Sequence, residues 1–353
     1  MITKEMKIFI EDISCDLKNK RELFILTRPF WTNKGWSNSS KESPNWDDLE
    51  DYSFTDNVLE AQVYFIPLPI NQYPKEKLDE INELCQKNKI KAYGYISGDF
   101  GENLGNYENI VFFRMGGFKS QLGDNNKGFP VPLSDHFQRL FHHDHPIPSD
   151  KSSKPIIGFC GHASLSQKKR LKEILKCIKE NCRRFFKNYK RKDWEPMFAS
   201  AYERAKLLQL FTKSSLIKTN FIFRSQYRAG AQTEEQRTKT TLEYYNNIKD
   251  SDYVLCVRGA GNFSVRLYET LMMGKIPLFV NTDCLLPFED KIDWKKHVVW
   301  VEWKDRKNIL QKVISFHNQL TNEEFLEIQI NNRKLWKEIL SVKGILELVK
   351  NDI

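Results

Sequence analysis

Arg258, Arg266 and Glu269 surround a glycine-containing loop and have the side-chain chemistry needed to bind a nucleoside diphosphate. Two guanidiniums beside the N-terminus of a helix, which carries about half a positive charge, form a site suited to phosphate groups. Glu269 lies one helical turn after Arg266, where it could accept a hydrogen bond from a ribose hydroxyl. The alternative is an ordinary crossover helix on which Arg266 and Glu269 pair with each other.

A βαβ unit would hold these residues in place. The apolar run 253–257 predicts a buried parallel strand, 265–273 predicts a helix, and 276–280 predicts the next strand. Gly274 suits the left-handed position that ends a helix. In the loop before the helix, glycines allow a ligand to approach closely, and Ser264 can accept from free helical N–H groups. The predicted ligand-binding set of this unit is Arg258, Gly259, Gly261, Asn262, Ser264, Arg266 and Glu269.

The same stretch resembles the C-terminal signature of exostosin-type glycosyltransferases, family GT47. The matching motifs occur in the family's order: Arg258-Gly259, Ser264-Val-Arg266-Leu-Tyr-Glu269, Gly274-Lys-Ile-Pro277-Leu278, Leu286-Pro-Phe-Glu-Asp290 and Asp293-Trp294. The resemblance implies an α/β fold of the GT-B type, with two Rossmann-like domains facing a cleft. It also implies transfer of a sugar, with inversion, from a nucleotide-diphosphate donor held by the C-terminal domain.

Length and element pattern favour two domains. The 353 residues are enough for two cores, and helical and strand-like runs alternate, which predicts α/β. We expect an N-terminal Rossmann-like acceptor-side domain at 1–150, ending in a linker at 146–154. A C-terminal Rossmann-like nucleotide-sugar-binding domain should follow at 151–330. A C-terminal helix at 331–353 should pack back on the first domain.

The N-terminal part is less regular. Residues 22–26 predict a strand, and 28–49 lack periodicity and predict a long loop. The indole rings of Trp31, Trp36 and Trp46 in this loop could stack on a sugar, or they could attach the loop to the body of the protein.

Two polar residues follow other predicted strands, at the position where α/β sheets make ligand contacts. Asp99 lies after the strand 91–97 and is the candidate base that deprotonates an acceptor hydroxyl, with Glu102 as the second candidate. The alternative for Asp99 is an Asx turn beside two glycines. His162 follows the strand 155–160. It could donate a proton or a hydrogen bond to the departing phosphate, or it could cap the next helix.

Three further arginines belong to the predicted donor site. Arg170 resembles the family's arginine early in the helix after His162. Arg224 and Arg228 lie near a strand end and could clamp a phosphate or a sugar carboxylate. The alternative for these two side chains is a set of surface salt bridges.

No metal or other cofactor is required by the sequence. Asp250-Ser-Asp252 spells a DxD triplet, but it precedes its strand, and we interpret it as a turn. The segment 142–145 contains three histidines and an aspartate that could bind zinc, but their contiguity favours a polar loop. Arginines and a helix N-terminus would neutralise the departing diphosphate instead.

The net charge is +9, and basic and aromatic residues interleave in 182–194. This segment could contact an anionic membrane; the alternative is a solvated helix end followed by a basic loop. Nucleic acid is not an expected partner, because no recognised binding motif accompanies the patch.

No apolar run approaches the ~18 residues of a membrane span, and no secretory segment begins the chain. Seven scattered cysteines suit a reducing compartment. We therefore expect a cytoplasmic enzyme, and contact of 182–194 with the inner face of a membrane stays an open alternative.

The sequence thus predicts an inverting, metal-independent glycosyltransferase of surface polysaccharide synthesis. UDP is the nucleotide that the resemblance implies, and the implied acceptor is an oligosaccharide or a lipid-linked glycan. Two alternatives remain open. A fucosyltransferase-like enzyme shares the Glu269 and Gly274-x-x-Pro277 pattern and would use a GDP-sugar. A non-catalytic relative would bind a glycan or a nucleotide without a base.

Overall fold

A computed structural model describes residues 5–13, 22–32, 34, 36, 51–100, 102–187, 193–225 and 227–352, without the side chains of Tyr227 and Arg228. The chain forms two compact units. Unit 1 comprises Met1–Ser134, Leu285–Phe288 and Lys337–Ile353. Unit 2 comprises Asp135–Cys284 and Glu289–Trp336.

Strands and helices alternate along most of the chain. The strands are β1 Met6–Phe9, β2 Tyr52–Thr55, β3 Val63–Phe65, β4 Lys91–Ile96, β5 Ile110–Arg114, β6 Asn126–Gly128, β7 Ile156–Gly161, β8 Lys218–Phe223, β9 Tyr253–Cys256, β10 Ile276–Asn281 and β11 Val299–Glu302. The helices are α1 Arg28–Thr32, α2 Lys75–Asn88, α3 His136–Phe141, α4 Gln167–Lys187, α5 Ser200–Thr212, α6 Glu234–Lys249, α7 Val265–Met272, α8 Ile309–Gln319, α9 Asn322–Lys334 and α10 Val342–Asn351.

Unit 1 is built on a parallel sheet with the strand order β2-β1-β3-β4-β5-β6. Alternate residues of β1, β3, β4 and β5 enter two different cores, because successive side chains of a strand point to opposite faces. The core on the α2 side includes Leu78, Ile81 and Cys85, whose spacing gives that helix its apolar face. The other core includes Ile345 and Leu346 of α10.

Unit 2 is built on a second parallel sheet, with the order β11-β10-β9-β7-β8. The strands contribute the apolar centre of this unit, including Ile157, Leu255 and Leu278. The chain runs outward from β7 to β8 and then returns to the other side of β7 to form β9. The strand order therefore reverses between β7 and β9, which makes this pair the topological switch point of a doubly wound sheet.

The βαβ unit predicted around α7 is present, and the helix ends as the sequence predicts. Gly274 has a φ of +63°, in the left-handed region. The N–H of Gly274 bonds to the carbonyl of Leu271, and that of Lys275 bonds to the carbonyl of Thr270, each at 2.9 Å. These two bonds form a Schellman motif, which satisfies the last free carbonyls of the helix.

The predicted α/β class with two Rossmann-like units is confirmed by the two parallel sheets. The predicted strand at 22–26 is wrong. Its apolar side chains are buried in a short 3₁₀ turn that leads into α1, where the Thr27 hydroxyl donates to the Phe24 carbonyl at 2.8 Å. The strand β2, which pairs with β1, had no prediction. Trp31 and Trp36 are buried in the unit 1 core, so they attach this segment to the body, and Trp46 lies outside the described residues.

Residues 135–150, assigned by the sequence to the first domain, belong to unit 2. Side-chain contacts over long sequence distances hold them there. Arg333 Nη1 donates to Asp135 at 3.1 Å, and Lys275 Nζ donates to Ser149 Oγ at 2.6 Å. The predicted linker is therefore an integral part of unit 2. Within the described ranges, no helix has both the length and the apolarity to cross a bilayer.

Candidate phosphate-binding site in unit 2

The guanidinium of Arg266 lies across the carboxyl ends of the two strands at the switch point. Its Nη2 donates to the carbonyl oxygen of Cys160 in β7 at 2.9 Å, and its Nη1 donates to that of Leu255 in β9 at 3.4 Å. Doubly wound sheets bind ligands in the crevice at this position. A permanent positive charge therefore occupies the expected ligand position of unit 2.

Aromatic rings and a glycine fix the position of this guanidinium. Its central carbon lies 4.6 Å from the ring centre of Phe159 and 6.0 Å from that of Tyr244. A Cβ added at Gly161 would lie 2.9 Å from Arg266 Nη2, so a larger residue there would push the guanidinium out of this position. Arg266 Nε is buried and has no hydrogen-bond partner in the described part of the chain. The side chain is thus held in place by its two carbonyl contacts and by the rings packed against it.

The first turn of α7 has no side-chain cap. Ser264 occupies the N-cap position, but its hydroxyl makes no capping hydrogen bond, so the predicted bond to the helical N–H groups is wrong. N–H groups at an uncapped helix start are left for solvent or an anion. A Cβ added at Gly259 would meet no atom within 4 Å, so open space adjoins the loop backbone. Gly261 is buried in the same loop.

Two tyrosines of α6 hold Glu269. The Tyr244 hydroxyl donates to its Oε2, and the Tyr245 hydroxyl donates to its Oε1 at 3.4 Å. Burial, followed by the charge of Glu269, raises the pKa of Tyr244 well above its ordinary value, so its hydroxyl remains a donor. The carboxylate is thereby oriented on α7. Two adjacent tyrosines were the only sequence signal for this arrangement, and our sequence analysis missed them.

A further arginine, Arg204 of α5, was also missed. Its Nε donates to the Ser200 carbonyl at 3.0 Å. Burial, and then the positive charge of Arg266, lowers the pKa of Arg204 to about 10, while Glu173 acts in the opposite direction. The repulsion between the two guanidiniums would be relieved by a bound anion. Nothing in the sequence indicates that α5 and α7 approach each other here.

Arg258, predicted to flank the phosphates, forms a buried ion pair. Its Nη2 donates to Glu195 Oε1 at 2.6 Å and to the Ala260 carbonyl at 2.7 Å. The other oxygen of Glu195 lies 3.6 Å from Arg184 Nη2, and all three ionic side chains are almost fully buried. One carboxylate therefore compensates two guanidiniums in a medium of low dielectric constant. The geometry gives Arg258 a role in holding the loop after β9, and its contact with a phosphate stays a prediction.

Asn262 connects the loop after β9 to the loop after β10. Its Nδ2 donates to the carbonyls of Thr282 and Asp283 at 3.0 and 2.9 Å, and its Oδ1 accepts from the Thr282 hydroxyl at 2.6 Å. The amide is therefore engaged within the protein. Its predicted contact with a ligand stays a prediction.

His162 lies at the end of β7 and does not cap a helix, because α4 begins only at Gln167. Its Nδ1 is 2.9 Å from the carbonyl oxygen of Arg224. A carbonyl only accepts, so Nδ1 carries the proton in the neutral ring, and Nε2 is then an acceptor. His162 can donate from Nε2 only as an imidazolium.

The remaining predicted arginines differ in their surroundings. Arg224 Nη2 donates to the Thr240 carbonyl at 2.6 Å and pairs with Glu243 at 2.8 Å, which corresponds to the salt-bridge alternative. Arg170 is exposed at the start of α4, with its guanidinium carbon 4.8 Å from the ring centre of Tyr202. The side chain of Arg228 lies outside the description.

Asp99 belongs to unit 1, where it is exposed in the turn after β4. Gly98, the preceding residue, has a φ of +101°, so glycine is needed to form this turn. Asn71 anchors the turn, since its Oδ1 accepts from the Ser97 N–H at 3.0 Å. The role of Asp99 as a base stays a prediction.

In the described ranges, no cluster of three or more His, Cys, Asp or Glu side chains has the geometry of a metal site. Asp252 accepts from the Ile156 N–H at 2.9 Å and from the Ser152 hydroxyl at 3.2 Å, so it ties β9 to the segment before β7. The histidines of 142–145 are exposed in a loop after α3.

Probable glucuronosyltransferase 47 A of Physcomitrium patens is 38% identical over 92 residues, which are 26% of this chain and 20% of that protein. Exostosin-1 of Drosophila melanogaster is 28% identical over 104 residues, which are 30% of this chain and 13% of that protein. The chain thus covers a fifth or less of the length of these relatives.

A solved structure of Anabaena HepE in complex with UDP-glucose matches this chain with 8% sequence identity and a TM-score of 0.32. The matched region covers 99% of this chain and 100% of the HepE chain. The Exostosin GT47 domain matches residues 125–315, which are more than half of the chain and include β7, β9 and α7. The chain therefore belongs to the Exostosin GT47 family.

Proposed function

We propose that this protein is a glycosyltransferase that moves a sugar from a nucleotide-diphosphate donor to a hydroxyl of a glycan. Membership of the Exostosin GT47 family supports this proposal, and so do the relatives described as probable glucuronosyl- and xylosyltransferases. The observation that carries it in the structure is the Arg266 guanidinium, which bridges the ends of β7 and β9 at the switch point of unit 2.

The donor's diphosphate would bind at the uncapped start of α7, where the positive charges of Arg266 and Arg204 favour an anion. Glu269, oriented by its two tyrosines, would accept from the ribose. Fixed donors of this kind also stabilise the negative charge that develops when the diphosphate departs. On this basis we propose a metal-independent reaction without a further cofactor.

We propose a direct displacement with inversion. The acceptor oxygen forms a bond to the anomeric carbon while the bond between that carbon and the phosphate oxygen breaks. Asp99 is the proposed base that takes the acceptor proton. His162, as an imidazolium, would donate from Nε2 to the departing phosphate.

UDP is the proposed nucleotide, and the proposed acceptor is an oligosaccharide or lipid-linked glycan in surface polysaccharide synthesis. The proposed location is the cytoplasm, at the inner face of a membrane. A GDP-sugar enzyme and a non-catalytic binding protein are the two competing outcomes of the experiments below.

The first experiment is calorimetric binding of UDP, GDP, CDP and ADP to the whole chain, with and without Mg²⁺. We expect one nucleotide, UDP, to bind equally well in both conditions. Tighter binding of GDP than of UDP would identify GDP as the donor nucleotide. Nucleotide binding that strictly requires Mg²⁺ would contradict the proposed metal-independent site. Failure of all four to bind would contradict the donor site in unit 2.

The second experiment measures nucleotide release and the anomeric configuration of the product with a panel of UDP-sugars. Asp99→Asn should lower kcat by about 10²- to 10⁴-fold. Asp124→Asn, which changes another exposed acid of unit 1, is the matched control and should retain activity. Unchanged transfer by Asp99→Asn would show that another group is the base. Nucleotide binding without transfer to any acceptor would favour the non-catalytic alternative.

A further inference from the structure

The long helix α4 exposes most of its large apolar side chains, and two of its three buried residues are polar, the reverse of the usual arrangement. The exposed residues and their relative exposures are Leu171 at 58%, Leu175 at 52%, Ile178 at 40%, Phe185 at 43% and Phe186 at 85%. The residues that face the protein are Cys177, Asn181 and Arg184.

The five exposed residues, here called the α4 stripe, lie on one side of the helix. At about 100° per residue, all of them lie within roughly 60° of the direction of Leu171. Leu59 and Ile147, by contrast, have no other large exposed apolar residue near them in the sequence. Contiguous apolar surface of this kind marks an interaction site, whereas isolated residues do not.

A row of basic residues borders the stripe. It consists of Lys168, Lys172, Lys176, Lys179 and Arg183. The four lysines have no carboxylate partner among the described residues. The two acids of α4 are compensated inside the protein. Glu173 accepts from the Ala201 N–H at 3.1 Å, and Glu180 accepts from two neighbouring arginines. The charges that α4 presents outward are therefore almost all positive.

We propose that α4 binds the surface of an anionic lipid bilayer, with the α4 stripe at the boundary between headgroups and acyl chains. Basic amphipathic helices bind in this way, through buried apolar area together with attraction of lysines to anionic lipids. A second copy of this chain is a poorer partner, because a two-fold contact between two stripes would place like-charged lysine rows near each other.

This site shares Phe185 and Phe186 with the membrane contact expected from the sequence at 182–194 and extends along α4 toward Lys168. Arg184, in that segment, is buried and donates to Glu180 and to the Asp193 carbonyl, so it is unavailable to lipid. The bilayer contact is therefore assigned to the exposed face of α4 from Lys168 to Lys187, most of which precedes 182. It depends on no feature of the proposed donor site.

The experiment is flotation of the whole protein with vesicles of phosphatidylcholine alone or with added phosphatidylglycerol. We expect binding only to the anionic vesicles, decreasing at high salt. A stripe variant should bind at least about tenfold less: Leu171→Gln, Leu175→Gln and Ile178→Gln. Its matched control changes three isolated exposed apolar residues and should bind as the parent does: Leu59→Gln, Ile147→Gln and Ile330→Gln.

A charge variant keeps the proposal testable if the stripe variant folds poorly. Replacing three lysines of the row should weaken binding about a hundredfold at low salt: Lys172→Gln, Lys176→Gln and Lys179→Gln. Its control removes the same charge from exposed lysines of unit 1: Lys87→Gln, Lys91→Gln and Lys127→Gln. Equal binding to neutral and anionic vesicles, binding to neither, or equal losses in variants and controls would overturn the proposal. Dissociation of a dimer by the stripe variant, without any vesicle binding, would identify a second copy as the partner.

Discussion

Replacement of Arg266 by glutamine should weaken binding of a nucleoside diphosphate far more than it weakens the fold. The change removes the positive charge at the switch point while keeping a polar side chain of similar reach. It therefore separates attraction of an anion from simple filling of space.

The contacts of Arg266 allow the loss of stability and the loss of nucleotide affinity to be estimated. In the free protein, the guanidinium makes one good hydrogen bond, to Cys160 at 2.9 Å, and one long one, to Leu255 at 3.4 Å. Losing them costs about 1–2 kcal/mol, and removing the repulsion with Arg204 offsets part of that cost. A hydrogen bond to a charged partner contributes about 1.5–3 kcal/mol, so the dissociation constant should rise about 10- to 150-fold.

Calorimetry with UDP and with inorganic pyrophosphate measures the affinity, and urea unfolding measures the stability. At a ligand concentration of about 100 Kd, the parent protein gains about 2.7 kcal/mol of stability. A variant that binds about 30-fold more weakly would gain only about 0.9 kcal/mol at the same concentration. Arg237→Gln, which removes an exposed arginine of α6, is the matched control and should bind as the parent does.

An unchanged dissociation constant in a folded Arg266→Gln protein would refute the assignment of the diphosphate to this guanidinium. Equal weakening by Arg237→Gln would reduce the effect to general electrostatic attraction. A loss of more than about 3 kcal/mol of stability would show that Arg266 is mainly a structural tie between β7 and β9.

Four other predictions follow from individual contacts. Glu195→Gln should lower the free energy of unfolding by about 3–5 kcal/mol in urea titrations, because two buried guanidiniums lose their carboxylate; a loss below 1 kcal/mol would contradict the buried ion pair. Gly259→Ala should leave the melting temperature nearly unchanged, since its methyl group enters open space, but should weaken nucleotide binding, and unchanged affinity would place the ligand elsewhere. Tyr244→Phe should raise the donor KM, because Glu269 loses the hydroxyl that orients it, while exposed-site controls keep the parent value; an unchanged KM would separate that carboxylate from the donor. Burial opposes ionisation of Glu180, but hydrogen bonds from two arginines lower its pKa to about 2. A carboxyl with a depressed folded-state pKa stabilises the protein above its unfolded pKa of about 4.5 and loses that contribution as the pH falls toward 2. Glu180→Gln should therefore flatten the decline of stability between pH 5 and pH 2, and an identical decline would refute the shift.

Much of the fold could be predicted from local patterns. Apolar runs separated by helical segments indicated β7, β9 and β10, because the pattern of apolar residues within a short segment reflects how that segment is buried. The end of α7 at Gly274 was predicted for the same reason, since a left-handed residue after a helix is a local requirement. The strand predicted at 22–26 failed because a short apolar run is compatible with several buried conformations.

The candidate site could be predicted only in part. The positions of Arg266 and Glu269 followed from motifs within one βαβ unit. The partners of the neighbouring groups did not, because they come from distant elements: Glu195 pairs with Arg258 across 63 residues, and Tyr244 approaches Glu269 from another helix. Such long-range pairs depend on which segments pack together, and that packing cannot be read from a single sequence.

By itself, the sequence determined the α/β class, the βαβ unit and the motifs of the Exostosin GT47 family, because each depends on residues close together in the chain. Only the tertiary structure decided which positive charge lies at the ligand position. The strand order of the sheet reverses between β7 and β9, so these two strands are neighbours. This brings the carbonyl of Cys160 to the guanidinium of Arg266, which lies 106 residues later in the sequence. The same packing turns Arg258 inward and leaves the apolar side of α4 outward, since burial is settled by whichever elements the sheet brings together.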